Sequence, residues 1–91
     1  MAIAVYFHPK GMTLAQFAEI HRLLEEKGAG SPDGRLHHSC FGEDGHLMVF
    51  DIWESMEQFE SFGTYLMPIL AELGVTSSRP PDIMPVVALL Q

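Results

Sequence analysis

The sequence predicts one α+β domain in which four strands and two helices follow one another in the order βαββαβ. Three observations support this: two segments have apolar residues at helical spacing, four others are short apolar runs, and glycine or proline marks the boundaries. With 91 residues, the chain has room for a single domain over residues 1–91. So short a chain has a small interior, and a partner subunit is expected to help stabilise it.

The first half of the chain predicts a strand, a helix and a second strand. Residues 2–8 form a compact apolar run that ends at a proline. Thr13 is the predicted N-cap of the first helix, because Gln16 three residues later completes a capping box. The helix continues with apolar residues at three- and four-residue spacing and ends at Gly28. A loop of turn-forming residues then leads to a strand over residues 35–41.

The second half predicts a third strand, a longer helix and a final strand. Residues 47–53 form the third strand, and Ser55 is the predicted N-cap of the second helix, again in a capping box. This helix ends at Gly74, and Pro68 inside it predicts a kink or a restart. Residues 83–90 predict the last strand, whose internal proline is typical of an edge strand or a bulge.

These elements in this order are typical of the ferredoxin-like fold, in which two helices cover one face of a four-stranded antiparallel sheet. The predicted third strand carries apolar residues on both of its sides: Leu47 and Val49 on one, and Met48, Phe50 and Ile52 on the other. Two helices cover only one face of such a sheet. The other face is therefore expected to be buried against an identical subunit, giving a homodimer.

Composition excludes several classes of partner. The formal net charge is −7, from 12 acidic residues against 5 lysines and arginines. The few cations are scattered singly along the sequence, so nucleic acid and anionic membrane are not expected partners. There is no apolar run near the ~20 residues of a membrane span, and the start of the chain lacks the basic leader of a signal peptide. Cys40 is the single cysteine, which excludes an internal disulfide and a cysteine-based zinc site. A cytoplasmic protein is expected.

The hairpin between the second and third strands brings candidate catalytic residues together. Asp44-Gly45 is a strong two-residue turn signal. A type I′ turn there sets His38 opposite Asp51, with their β-carbons about 5 Å apart. A three-residue loop would instead bring His37 to Asp51, so the register stays open at this stage. The first register gives two further cross-strand pairs: Leu36 with Trp53, and Cys40 with Val49.

A carboxylate beside an imidazole fixes its tautomer and favours proton acceptance, which a general base needs. His38 is therefore the predicted general base, and Asp51 its orienting partner. His21, one turn beyond Phe17 on the first helix, is a candidate auxiliary acid or base. Together the two histidines and the aspartate also form a possible metal facial triad, but no tight ligand spacing supports a metal site and none is expected. The alternative is a structural His–Asp hydrogen bond with a merely packed His21.

The segment Val49-Phe-Asp-Ile-Trp-Glu-Ser55, followed by Glu57-Gln-Phe59 and Phe62, resembles the strand-to-helix junction of the dimeric α/β-barrel superfamily. That superfamily includes antibiotic-biosynthesis monooxygenases, haem-degrading monooxygenases and polyketide cyclases of the olivetolic acid cyclase type. The resemblance implies a dimer of face-to-face sheets and a ligand cavity between each sheet and its own helices. It also implies that Trp53 lines this cavity. The haem-degrading members have a histidine ligand on the second helix. Residues 55–73 contain no histidine, so no haem or other cofactor is expected.

Two functions of different class remain open. The first is a small cofactor-independent enzyme acting on an aromatic or polyketide-like molecule, as an oxygenase, cyclase or isomerase. The second is a non-catalytic dimer whose cavity binds a small hydrophobic molecule or is filled by its own side chains. An empty pocket holding the His–Asp pair would favour the enzyme, and phenylalanines closing the space would favour the alternative. The predicted ligand-binding residues are Trp53, Phe17, Leu36, Cys40, Val49, Phe59, Phe62 and Leu66.

Overall fold

Four strands and two helices form in the predicted order. A computed structural model of the chain describes residues 1–90. The elements are β1 (Ile3–Phe7), α1 (Leu14–Glu26), β2 (Arg35–Glu43), β3 (His46–Trp53), α2 (Met56–Glu72) and β4 (Asp82–Pro85). The strands make one antiparallel sheet in the order β2-β3-β1-β4. This is the ferredoxin-like arrangement, and the predicted fold class is confirmed.

The ends of α1 are set by local hydrogen bonds that the sequence predicts. The Thr13 hydroxyl accepts a hydrogen bond from the Gln16 amide, and the Gln16 side chain accepts one from the Thr13 amide, which completes the capping box. At the other end Gly28 has a φ of 75°. Its amide donates to the Glu25 carbonyl at 3.0 Å, and the Ala29 amide donates to the Leu24 carbonyl at 2.8 Å. These bonds form a Schellman motif, in which glycine adopts the left-handed conformation without a steric penalty.

Helix α2 differs from its prediction at two points. The Ser55 hydroxyl accepts a hydrogen bond from the Gln58 amide at 3.2 Å, but the Gln58 side chain bonds to that hydroxyl rather than to the Ser55 amide. Only half of the capping box therefore forms. The predicted restart at Pro68 is wrong, because the helix runs unbroken from residue 56 to 72. Phe62 and Ile69, on either side of the proline, are 5% and 1% exposed. Packing against the core thus outweighs the hydrogen bond that proline cannot donate.

Strand β4 is shorter than predicted. It pairs with β1 alone, so it is an edge strand, as its internal proline indicates. Its last residue is Pro85, which pairs with Ile3; an edge strand tolerates proline because a donor on its outer side is not needed for pairing. The predicted continuation over residues 86–90 does not form a strand, although the Val86 amide still donates to the Ala2 carbonyl at 2.9 Å.

The β2–β3 hairpin has the predicted two-residue loop and register but a different turn type. Glu43 pairs with His46 and His38 pairs with Asp51. A type I′ turn needs a positive φ at both central residues, and within residues 1–90 only glycines have one, Gly45 among them. The turn is therefore not type I′. The Asp44 carboxylate accepts a hydrogen bond from the Leu14 amide at 2.9 Å, which ties the hairpin tip to the start of α1.

A β-bulge near the start of β2 changes which side chain faces the helices. The register shifts between Arg35 and His37, so Arg35 rather than Leu36 lies opposite Trp53. The predicted pairing of Leu36 with Trp53 is wrong. The bulge inserts one extra residue into the strand, and the Leu36 side chain is 49% exposed. Arg35 consequently points to the helix-covered side of the sheet.

The core fills the space between the sheet and the two helices. Burying each large apolar side chain there contributes roughly 1.5–3 kcal/mol. The buried side chains are Ile3, Val5, Met12, Ile20, Leu24, Ala29, Leu47, Trp53, Phe62 and Ile69. Asp51 lies on the same side of β3 and is almost completely buried. Neither of the helices in residues 1–90 is long and apolar enough to cross a membrane.

Candidate acid–base site

The carboxylate of Asp51 lies in the centre of the sheet and is held by two donors. Its residue is 1% exposed and pairs with Val5 on one side and His38 on the other. One carboxylate oxygen lies 2.6 Å from His38 Nδ1, and the other accepts a hydrogen bond from Trp53 Nε1 at 3.2 Å. Trp53 reaches it because residues two apart in a strand share a face. The buried acid is thus fully partnered, as burial requires.

Helix α1 adds a second imidazole to this pair. His38 Nε2 lies 2.9 Å from His21 Nε2, and His21 Nδ1 lies 3.0 Å from the Phe17 carbonyl oxygen. The carbonyl belongs to the residue four positions earlier in α1, so this bond within the helix helps to orient the His21 ring. A continuous chain of three hydrogen bonds therefore runs from the Phe17 carbonyl through both imidazoles to Asp51. We call His21, His38 and Asp51 the proton cluster.

The number of hydrogen bonds fixes the number of protons in the proton cluster. A carbonyl oxygen and a carboxylate only accept, so three hydrogen bonds require three protons among the groups of the cluster. Two neutral imidazoles and a carboxylate hold only two protons, with a net charge of −1. The chain of bonds is therefore complete only when the cluster holds one additional proton and is neutral overall. Without that proton, the two Nε2 atoms face each other with lone pairs.

Burial disfavours the charged form of His21. Burial lowers the pKa of His21 below its ordinary value of 6.5, and the nearby His38 lowers it further, while the hydrogen bond to Phe17 opposes both. A neutral His21 has its proton on Nδ1, because that atom must donate to the carbonyl. Its Nε2 is then an acceptor. In the complete chain of three hydrogen bonds, His38 Nε2 is therefore the donor to His21 Nε2.

A cavity between the sheet and the helices contains the proton cluster. Its volume is about 70 Å³, and it is partly open to solvent. All three members of the cluster line it, and four of the sequence-predicted ligand-binding residues do so as well: Phe17, Val49, Phe62 and Leu66. Further apolar side chains complete the wall: Phe7, Pro9, Met12, Ile20, Leu24, Leu70 and Val75.

Four of the predicted ligand-binding residues lie outside the cavity. Trp53 is fully buried behind Asp51, where its ring packs on Phe59 and Phe62 at centroid distances of 5.8 and 5.1 Å. Phe59 is used in that packing and does not reach the wall. Leu36 is turned outward by the bulge. Cys40 packs against the core from β2, and burial raises the pKa of its thiol.

Arg35 is the wall residue that the sequence does not reveal. Its Nη2 donates to the Gly30 carbonyl at 3.2 Å, and its guanidinium carbon lies 5.7 Å from the centre of the Phe62 ring. Burial lowers the pKa of Arg35, and attraction to Asp51 opposes that shift. Its place depends on the bulge, and β2 carries no glycine or proline near Leu36 that would have indicated one.

The proton cluster is not arranged as a metal site. Within residues 1–90, no group of three or more histidine, cysteine, aspartate or glutamate side chains could hold a metal ion. The two Nε2 atoms that a metal would use point at each other at 2.9 Å. The facial-triad interpretation is therefore not supported.

Comparisons with known proteins bear on the fold. No protein-family model matches the chain, and no curated protein matches it. Several solved structures match along almost the whole length of both chains. A candidate antibiotic biosynthesis monooxygenase from Chloroflexus aurantiacus J-10-fl is 14% identical with a TM-score of 0.69, and the match covers 100% of this chain and 98% of that one. The chain has the antibiotic biosynthesis monooxygenase-like fold.

Two further candidate monooxygenases share this monooxygenase-like fold. The protein from Deinococcus radiodurans is 16% identical, with a TM-score of 0.61 and coverage of 100% of this chain and 97% of that one. The protein from Caulobacter crescentus CB15 is 23% identical, with a TM-score of 0.60 and coverage of 98% and 91%. At these identities the likeness establishes the fold, and the activity has to be argued from the residues of this chain.

Proposed function

We propose that the chain is a small cofactor-independent acid–base enzyme that moves a proton on a carbonyl compound bound in the cavity. One observation carries this proposal: His38 is held by Asp51 at one ring nitrogen and meets His21 at the other, on the cavity wall. A positioned imidazole with a fixed tautomer is the most common general base in enzymes. Proton abstraction and return are the steps that isomerases and cyclases share.

In this mechanism His38 is the base and Asp51 orients it. When the proton cluster lacks its additional proton, no hydrogen bond holds the two Nε2 atoms at 2.9 Å. The two rings then separate, and His38 Nε2 accepts a proton from a carbon beside the substrate carbonyl. Accepting it completes the three hydrogen bonds of the cluster, so the chain itself stabilises the abstracted proton. His21 stays neutral because burial lowers its pKa. Its Nε2 accepts a hydrogen bond from His38 until the proton returns to the substrate.

The cavity volume narrows the substrate. An engineered cavity of about 150 Å³ binds benzene, and this cavity has about half that volume. The part of the substrate that reaches His38 is therefore smaller than a benzene ring. We propose a small enolisable carbonyl compound, or the end of a longer molecule that extends into solvent. A whole aromatic or polyketide-like substrate would require wall residues such as Phe17 or Leu66 to move.

Deuterium exchange tests the proposal without knowledge of the natural substrate. In D₂O, the wild-type protein should accelerate loss of the α-protons of butan-2-one or pyruvate, measured by ¹H NMR. His38→Gln should reduce this acceleration by about 100-fold or more, the usual contribution of a general base. His46→Gln is the matched control, because His46 is exposed at the hairpin. No acceleration by the wild type, or equal acceleration by His38→Gln, would favour a non-catalytic binding protein.

We also propose that two copies pair through the sheet face that the helices leave uncovered. Aromatic side chains cluster on this face: the Tyr6 ring lies 6.3 Å from that of Phe50 and 6.4 Å from that of Phe41. Phe41 and Met84 are 45% and 55% exposed. An apolar face of this kind supports association with a second copy.

A further inference from the structure

Arg35 differs from the other arginines of the chain in its surroundings. Arg22 and Arg79 lie at the surface, and each pairs with a carboxylate. Arg35 is partly buried in the cavity wall, and it forms no ion pair with any side chain of residues 1–90. Its one side-chain hydrogen bond within that range goes to the neutral Gly30 carbonyl. A partly buried cation without an anionic partner is costly unless a ligand supplies one.

Among residues 1–90, Asp51 is the one acidic residue that lines the cavity together with Arg35. With its additional proton, the proton cluster of His21, His38 and Asp51 is neutral. The other wall side chains are apolar apart from the uncharged Ser77. The cavity wall therefore has a net charge of about +1 while that proton is present and about zero in its absence. The carboxylate of Asp51 does not pair with Arg35 directly: its ion pair is with His38, and its other oxygen accepts from Trp53.

We propose that Arg35 is the anion-binding residue of the cavity and that the ligand is a small oxo acid, whose carboxylate pairs with the guanidinium. That the ligand has a carbonyl group rests on the proposed function. That it has a carboxylate rests on Arg35 alone. A guanidinium presents donors in a planar fork that matches a carboxylate. The Gly30 carbonyl and the Phe62 ring hold the guanidinium in place.

The β-bulge is the structural cause of this binding site. In a regular ladder Leu36 would lie opposite Trp53 and extend the apolar wall. The extra residue places Arg35 there instead, so one irregularity of β2 converts an apolar position into a cationic one. Bulges that re-aim a side chain are common beside functional sites.

Paired ligands of equal size test the carboxylate preference without requiring any reaction. The affinities of butanoate and the neutral butanamide are measured by ligand-observed NMR at pH 7 for the wild type, Arg35→Gln, Arg35→Lys and Arg22→Gln. The wild type should bind butanoate about tenfold more tightly. Arg35→Gln should abolish this difference, and Arg35→Lys should retain part of it because the charge remains. Arg22→Gln, the matched control on the exposed face of α1, should leave it unchanged.

Two results would overturn the inference: a wild type that does not prefer butanoate, or a preference that survives in Arg35→Gln. If Arg35→Gln fails to fold, Arg35→Lys still tests the inference. An unchanged butanoate preference in Arg35→Lys would exclude pairing that depends on the planar guanidinium fork. Failure of the proposed function has a different signature. Butanoate preference without exchange of pyruvate α-protons would defeat the acid–base proposal alone. Exchange of butan-2-one without a carboxylate preference would defeat the Arg35 inference alone.

Discussion

The hydrogen bond from Trp53 to Asp51 predicts that Asp51→Ala and Trp53→Phe affect stability in a strongly coupled way. Trp53 is 0% exposed and Asp51 is 1% exposed. Asp51→Ala removes at once the acceptor of Trp53 Nε1 at 3.2 Å and the partner of His38 Nδ1 at 2.6 Å. Removing one member of a buried charged pair costs about 3–5 kcal/mol. Because the His38 side chain is 23% exposed, water offsets part of this, and we expect about 3 kcal/mol from Asp51→Ala.

Trp53→Phe removes the indole N–H that Asp51→Ala leaves without an acceptor. A buried donor without a partner costs about 1–3 kcal/mol. In the Trp53→Phe background, Asp51→Ala should therefore cost about 1–3 kcal/mol less than in the wild type.

Urea unfolding followed by far-ultraviolet circular dichroism measures the four free energies of this cycle, because the signal does not depend on the tryptophan. Trp53→Phe combined with the surface substitution Arg22→Gln is the control pair and should be additive. If Asp51→Ala and Trp53→Phe were additive within about 0.5 kcal/mol, the hydrogen bond would contribute nothing measurable. The description of the buried carboxylate would then be incorrect.

Two other predictions concern pH and assembly. Since burial lowers the pKa of His21 in the folded chain, the unfolded chain binds more protons as the pH falls below 6.5, and the free energy of unfolding should decrease there. The urea midpoint of His21→Gln should decline less over this range than that of the wild type. An equal decline would show that the pKa of His21 is the same in the folded and unfolded chains. Phe50→Asp should convert a dimer to a monomer in sedimentation analysis, because Phe50 lies on the uncovered sheet face; a stable dimeric variant would place the interface elsewhere.

The hairpin and its site could be predicted because short-range signals determine them. Asp44-Gly45 fixes a two-residue loop, and the two-residue period of the strands then carries the register to His38 and Asp51. Helical spacing places His21 one turn after Phe17, on the side that meets the sheet. These inferences need only local geometry, and the predicted register holds from the turn back to the bulge.

The remaining features depend on tertiary energies that no short segment encodes. The bulge that exchanges Leu36 for Arg35 is stabilised by contacts with distant residues, among them the Phe62 ring. Trp53 was expected in the cavity wall, but its indole N–H turns toward the buried Asp51 instead. Pro68 stays within α2 because Phe62 and Ile69 are packed on either side of it. In each case the local preference of the segment contributes only a few kcal/mol, so tertiary contacts can override it.

The protonation of the imidazole rings tests the central claim most directly. Long-range ¹H–¹⁵N correlation spectra of the ¹⁵N-labelled protein, recorded from about pH 5 to pH 9, report the protonation of each ring nitrogen. We predict a state with three protons in the proton cluster, in which His21 is neutral and protonated on Nδ1 and His38 Nε2 donates to His21. Two protons at every pH, or His21 protonated on Nε2 alone, would contradict the proposed acid–base network.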